Sequence, residues 1–415
     1  MEENRSKPRD NRSLREKAIS IVRKLQEAGH EAYFAGGCVR DDLLGISPKD
    51  FDIATSATPD MVQGLFRKTI PIGVQFGVIQ VRYGGEGFEV ATFRTDGGYT
   101  DGRRPDSVTF STAKADVERR DFSMNGLLFD PIENRLLDFV EGQKDLEQGL
   151  IRAIGHPVSR IREDRLRMLR AIRFASRFRF EIEKETMEAI QQFASSIVQV
   201  SKERVREELF RTFREGGGVQ GLSLLSESKL LDGIFGTVWA ELPEQRKNLI
   251  QISEHIPSES PMAFFMLILL GKTPDELEQF ARAMTFSNQE RKRLLQLEHG
   301  LETLKKLEKD DVAGIKRLVR EECWGDLHPL LRGLQETGFL DTPLAVESLV
   351  ERAEQWNREE LWPPPLLNGQ DLMKLGLPPG PQFKALLSAL ETMQLEGRIL
   401  TREEAISWVS QKGKA

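Results

Sequence analysis

Apolar residues recur along this chain in two rhythms. Leu14, Ile21, Val22 and Leu25 fall on one side of a 3.6-residue period and predict an amphipathic helix. Ser13-x-x-Glu16 reads as a capping box at its start and Gly29 as its stop. Ala32 to Phe34 reads as a short strand running into the pair Gly36-Gly37, and Thr58-Pro59 opens a second helix that runs to about Phe66. Residues 69–93 then read as strands divided by glycines, from Thr69 to Ile72, Gly77 to Tyr83 and Phe88 to Phe93, with a hairpin at Gly84-Gly85. From about Glu163 the strand signals stop and helical periodicity dominates to the end. The pattern predicts an α/β head followed by a long all-helical remainder, an α+β chain. Gly216-Gly217-Gly218 marks a junction, and Trp362-Pro363-Pro364-Pro365 a stiff break before a final unit. Residues 1–12 are polar and expected to fray.

Composition narrows the class. With 415 residues, 39% hydrophobic and 30% charged, the chain has the make-up of a soluble globular protein of two to four packing units. A formal charge of −6 argues against a protein coated in nucleic acid and leaves room for local basic patches. Two distant cysteines, Cys38 and Cys323, make neither a disulfide framework nor a zinc site, and they fit a reducing cytosol. Met1-Glu2-Glu3-Asn4-Arg5 has no apolar core and is not a signal peptide. The longest apolar run, Pro261 to Leu270, falls far short of the roughly 20 residues a bilayer needs, so no membrane partner is expected. None of His30, His156, His255, His299 and His328 is followed by Asp, which argues against a His-Asp metal phosphohydrolase.

Three segments carry candidate chemistry. In Gly36-Gly37-Cys38-Val39-Arg40-Asp41 … Lys49-Asp50-Phe51-Asp52, a glycine turn opens a short helix, and two carboxylates follow at i and i+2 of an extended segment, on one side of it. Paired carboxylates are hard oxygen ligands for Mg²⁺, and N–H groups at a helix start attract phosphate. Glu89, on a neighbouring strand, offers a third carboxylate; an outward polar residue reads the same. In Arg119-Arg120-Asp121-Phe122-Ser123-Met124-Asn125 the arginines suit triphosphate oxygens and Asn125 a ribose hydroxyl, although a plain charged loop has the same letters. In Glu163-Asp164-Arg165-Leu166-Arg167, read as one helix, Asp164 and Arg167 stand at i, i+3, with Arg170 and Arg173 beyond. An Asp acceptor beside an Arg donor matches the amino-bearing edge of cytosine or adenine. A surface salt bridge is the plainer alternative. Together the segments describe a site that moves a nucleotide from its triphosphate.

The conjunction resembles the class II tRNA nucleotidyltransferase and bacterial poly(A) polymerase family, over roughly residues 30–215 and more loosely over the last fifty. The resemblance implies a polymerase-β-like nucleotidyltransferase head (1–150), a helical neck carrying a base-recognition helix (151–218), a helical body (219–360) and an RNA-binding helical tail (361–415). It implies that Asp50 and Asp52 hold Mg²⁺, and that Gly37, Arg40, Arg120 and Asp121 contact the nucleotide; the residues themselves add Glu89 as a helper and Asn125 as a nucleotide contact. Asp164 and Arg167 would then be the protein template for the base, with Arg170 and Arg173 as further nucleotide contacts. Asp138 and Gly142 stand in the zone of an inter-domain hinge, one residue further apart than the family's spacing. Ser201-Lys202-Glu203-Arg204 is similar to a motif that supports the preceding helix; an N-cap followed by solvated charges reads the same.

The expected activity is template-independent addition of CCA to tRNA 3′ ends from CTP and ATP by two-metal nucleotidyl transfer, with two Mg²⁺ on Asp50 and Asp52, the tRNA acceptor arm as partner and a cytoplasmic location. A loop over residues 94–106 looks like an intact copy of one that C-only enzymes lack. An A-adding enzyme or a poly(A) polymerase would carry nearly the same motifs, and an inactive RNA-binding homologue stands as a remoter alternative. The tail, Asn368-Gly369-x-Asp371-Leu372-x-x-Leu375-Gly376, resembles the RNA-arm-binding end of CCA-adding members or, more plainly, a capped helical packing motif. The sequence leaves the oligomeric state open.

Overall fold

The structure is a computed structural model, and it describes residues 11–97, 107–236, 246–340, 342 and 344–412. Most of the loop assigned to residues 94–106 therefore lies outside the described residues. The chain divides into two compact units, Met1–Ala240 and Glu241–Ala415.

The first unit opens with α1 (Asn11–Glu27), whose stripe of Leu14, Ala18, Ile21, Val22 and Leu25 is buried. Burial of side chains of this kind contributes about 1.5–3 kcal/mol each for the larger ones. Ser13 is not the N-cap: the helix already runs from Asn11, and Glu16 lies near Arg12 at 3.6 Å instead of closing a capping box. After it come β1 (Ala32–Ala35), α2 (Gly37–Leu43), β2 (Ile53–Thr55), α3 (Pro59–Leu65), β3 (Thr69–Gly73), β4 (Val78–Tyr83) and β5 (Glu86–Thr92). A small hairpin, β6 (Arg94–Asp96) with β7 (Val108–Phe110), leads to α4 (Ala113–Glu118), β8 (Leu127–Asp130), β9 (Arg135–Asp138) and α5 (Gly142–Gln148). Seven strands form one sheet in the order β3-β4-β5-β2-β1-β8-β9. All of its pairs are antiparallel except β2 with β5, which is parallel.

That parallel pair positions the acids. Ile53 is level with Val90, so Asp52 and Glu89, one residue earlier in each chain, stand level on the same face. Asp50 and Asp52 lie just ahead of β2 and not within it; the Asp52 carbonyl still accepts from the Ala35 N–H at 3.0 Å, which keeps the segment extended. Between them Phe51 is buried against Phe34, ring centroids 5.1 Å apart, while both aspartates are exposed. The alternation expected of i and i+2 is thus present.

The helical part of this unit comprises α6 (Pro157–Glu163), α7 (Leu166–Phe178), α8 (Lys184–Phe193), α9 (Lys202–Gly216), α10 (Gly218–Glu227) and α11 (Leu230–Phe235). Strand structure does not end at residue 163: Glu181–Ile182 pairs in parallel with Leu150–Ile151. The segment read as one helix from Glu163 is broken at Asp164 (φ −143°, ψ 106°), whose Oδ1 accepts from the Leu166 N–H at 3.0 Å. A short acidic side chain that captures a nearby N–H competes with helix continuation. Gly217, with φ +83°, separates α9 from α10.

In the second unit the apolar run is the helix Pro261–Ile268, and all eight of its residues are buried. The tail encloses its own core of Leu367, Leu372, Leu390, Ile399, Ala405 and Val409. Asn368 and Asp371 form a capping box there, and Asp371 pairs with Arg402 at 2.6 Å, so these two polar side chains organise the helix start. Among the described residues no helix is long and apolar enough to cross a membrane.

Candidate active site

A cleft of about 480 Å³ opens between the sheet and α7. Gly36, Gly37, Arg40, Asp52, Arg120, Asp121, Asn125, Asp164, Arg167, Arg170 and Arg173 line it, with Arg94, Arg119, Phe174 and Arg177. Every nucleotide-binding candidate from the sequence is brought together here; Asp50 and Glu89 are not among the lining residues. Eight arginines against three aspartates give the lining a strong positive excess, opposite in sign to the whole chain. Such a field suits a polyphosphate.

The first segment builds one wall. Gly36 has φ +69° and ψ −122°, a conformation that L side chains rarely adopt, and a Cβ there would stand 3.0 Å from Arg120 Nη1. Gly36→Ala is therefore expected to lower kcat/KM for nucleotide addition about 10²-fold by displacing the arginine and the turn. Steady-state kinetics with CTP check this, and a loss below twofold would refute it. Arg40 is buried, donates to Asn125 Oδ1 at 2.7 Å and to Asp41 at 2.6 Å, and stacks on Phe174 and Phe178 with centroids 5.2 and 4.7 Å away. Packing holds its guanidinium in place.

Asp52 keeps contact with solvent at the mouth of the cleft, yet protein crowds around it. Burial, Asp50 and Glu89 push its carboxyl up to about 6, and Arg120 works in the opposite direction. A concave wall reconciles the two: water reaches the oxygens, while the surrounding atoms thin the solvation of the charge. Among the described residues there is no ready-made cage of three or more His, Cys, Asp or Glu ligands. An aspartate pair with a third carboxylate level with it is what an Mg²⁺ ion that keeps most of its waters takes.

On the second segment, burial tends to raise Asp121, but Arg170, Asn125 and the Phe122 N–H hold it well below the usual carboxylate range. The contacts are Arg170 Nε and Nη2 at 2.8 and 2.6 Å, Asn125 Nδ2 at 3.0 Å and the Phe122 N–H at 2.8 Å. The helical segments build the opposite wall. The simple Asp164–Arg167 salt bridge does not form. Asp164 pairs with Arg204 at 2.7 Å, and Arg167 donates to Glu163 at 2.8 Å and to the carbonyls of Arg160 and Arg119 at 2.9 and 3.2 Å. Arg204 lies in the Ser201–Arg204 segment, which thus braces the turn before α7.

Sequence reasoning missed the rest of α9. Glu208 holds Arg173 at 2.7 Å and stands 3.8 Å from Arg170; Glu215 holds Arg173 at 3.2 Å and stands 3.8 Å from Arg177. Arg204, Glu208 and Glu215 are spaced by four and seven, one face of a helix, and Arg170, Arg173 and Arg177 by three and four. Those matched spacings were the available signal. Phe174 also went unnoticed, since an aromatic in a helical apolar stripe reads as core.

Residues 32–152 match the model of the poly A polymerase head domain, 179–242 that of the RNA and SrmB-binding site of polymerase A, and 254–409 that of domain 2 of tRNA nucleotidyltransferases. The chain is 32% identical to a CCA-adding enzyme of Lactobacillus johnsonii, with 94% of this chain and 95% of that one covered. The chain belongs to the CCA-adding enzyme family. A second CCA-adding enzyme, from Lactobacillus delbrueckii subsp. bulgaricus, is 34% identical over 94% of this chain and 96% of its own. The crystal structure of the Bacillus stearothermophilus CCA-adding enzyme in complex with CTP superposes with a TM-score of 0.78 at 27% identity, covering 96% and 97% of the two chains. As a CCA-adding-family member, the chain has the polymerase head and helical remainder that its sequence predicted.

Proposed function

We propose that this protein restores the CCA end of tRNA from CTP and ATP, without a nucleic-acid template, by nucleotidyl transfer assisted by Mg²⁺. The observation that carries the reading is the carboxylate group at Asp52, facing an arginine-lined cleft whose far wall bears Asp164 and Arg167. The four-part division into head 1–150, neck 151–218, body 219–360 and tail 361–415 goes with this proposal.

Asp50 and Asp52 are the residues to hold the ion, with Glu89 beside them. Bound there, Mg²⁺ would polarise the α-phosphate and stabilise the departing pyrophosphate. The protein supplies the rest. Arg120, with Arg119, faces the phosphates, where charge accumulates as the tRNA 3′-oxygen attacks the α-phosphorus and pyrophosphate leaves. Asn125 and Asp121, locked to each other and to Arg170, orient the ribose. Asp164 accepts from the amino group of cytosine or adenine while Arg167 donates to the ring edge. Because Arg204 and the Leu166 N–H hold Asp164, the acceptor is set before the nucleotide arrives. The helical units would grip the acceptor arm through its backbone and shape.

Supplying a tRNA that ends before CCA with CTP alone, ATP alone and both tests the reading. Two CMP additions with CTP and a terminal AMP with both are expected. The match of residues 32–152 to a poly A polymerase head keeps an A-adding enzyme as second reading. AMP addition without any CMP addition would select it and reject the first.

A further inference from the structure

Asp116 is absent from the catalytic account, yet it is the most deeply buried acid touching the arginine pair, 1% exposed on the six-residue helix α4. Its Oδ1 accepts from Arg119 Nε and Nη2 at 3.0 and 2.7 Å and from the Arg94 backbone N–H at 3.3 Å. Its Oδ2 accepts from Arg120 Nη2 at 2.9 Å. Burial would raise this carboxyl, but Arg120 and Arg119 keep it below the usual range, so it is charged. A second clamp acts from outside. Arg160, on α6, donates to the backbone carbonyl of Arg119 and to that of Arg120, the latter at 2.7 Å. The backbone of the pair is thus pinned from one side and the guanidinium groups from the other. What Asp116 leaves of Arg120, its Nη1, points at the Gly36 turn and stands 3.4 Å from the Asn125 carbonyl.

We propose that Asp116 is a positioning residue: it aims the Arg119 and Arg120 guanidinium groups at the nucleotide phosphates and ties them to the first residue of the β6–β7 hairpin. An exposed i, i+4 pair would be worth little, but these arginines are only 21% and 19% exposed and share one buried acceptor. The hydrogen bond to the Arg94 N–H makes the same carboxylate an anchor of β6 at its first residue. The inference rests on the nucleotide reading of the cleft. Since the triphosphate is common to CTP and ATP, a phosphate-directed role makes a definite forecast: both nucleotides suffer equally.

Asp116→Asn, Arg120→Gln and the double variant are compared with the parent in single-turnover CMP and AMP addition, with melting followed by circular dichroism. Asp116→Asn is expected to lower kcat/KM about 10²-fold, by the same factor for both nucleotides. In the Arg120→Gln background the same change should cost less than it does in the parent, because one of the two arginines it acts through is gone. Fully multiplicative losses, a loss confined to one nucleotide, or a loss below twofold in the single variant overturns the proposal. Should Asp116→Asn fail to fold, Asp116→Glu keeps the charge but displaces the fork by a methylene. A loss of at least about tenfold with near-parental melting is then expected, and parental rates overturn the proposal. A parent that adds neither nucleotide sinks the nucleotide reading and this inference together; an active parent with unaffected variants sinks this inference alone.

Discussion

Replacing Asp50 and Asp52 together by alanine is expected to lower the rate of CMP addition by at least ~10³-fold, an increase of about 4 kcal/mol in the activation barrier. The two side chains offer hard oxygen donors on one side of an extended segment, and Arg120 faces the same carboxylate group. Glu89 alone would leave the ion a single carboxylate anchor. The variant should fold. Both aspartates are exposed, and Asp52 stands against Asp50 and Glu89, so their removal relieves like-charge repulsion. Single-turnover assays, thermal melts and filter binding of tRNA check the three parts. Unchanged turnover would refute the metal assignment. Lost tRNA binding with an intact fold would shift the acids to RNA contact.

Glu208→Ala is expected to cost about 3–5 kcal/mol of stability, the usual loss when one member of a buried ion pair is removed. The Glu208 and Arg173 side chains are 7% and 6% exposed, and the ring of Phe174 packs under Arg173 at 4.2 Å. Glu215 remains on Arg173 at 3.2 Å, which places the expectation toward the lower end of that range. Glu208→Gln keeps an acceptor and should cost less than the alanine change. Chemical denaturation of both variants measures this, and a loss under about 1 kcal/mol for alanine would show the pair to be dispensable. Nucleotide addition should fall as well, because Arg170 also has Glu208 nearby, at 3.8 Å.

Much of the site was legible because its signals are local. The Gly36-Gly37 turn, the Asp50-x-Asp52 alternation around Phe51 and the arginine cluster at 119–120 each depend on residues close in the chain, where backbone geometry dictates side-chain direction. The hairpin at Gly84-Gly85 was readable for the same reason: both glycines take positive φ. Local reading failed at Asp164, where helical periodicity runs on through a residue whose side chain captures the Leu166 N–H and breaks the helix. It failed also at Ser13-x-x-Glu16, where the letters of a cap fall inside a helix that starts earlier.

The linear order of amino acids was enough to determine the mixed head and helical remainder, the apolar stripe of α1 and the chemical groups that the site segments carry. Only the tertiary structure decided the partners of the charges. The pairing of Asp164 with Arg204, of Glu208 with Arg173, and of Asp116 with the Arg94 backbone joins groups 40, 35 and 22 positions apart. A charge selects its partner by distance and by the solvation it loses, and both are set by how helices and sheet pack, not by spacing along the chain.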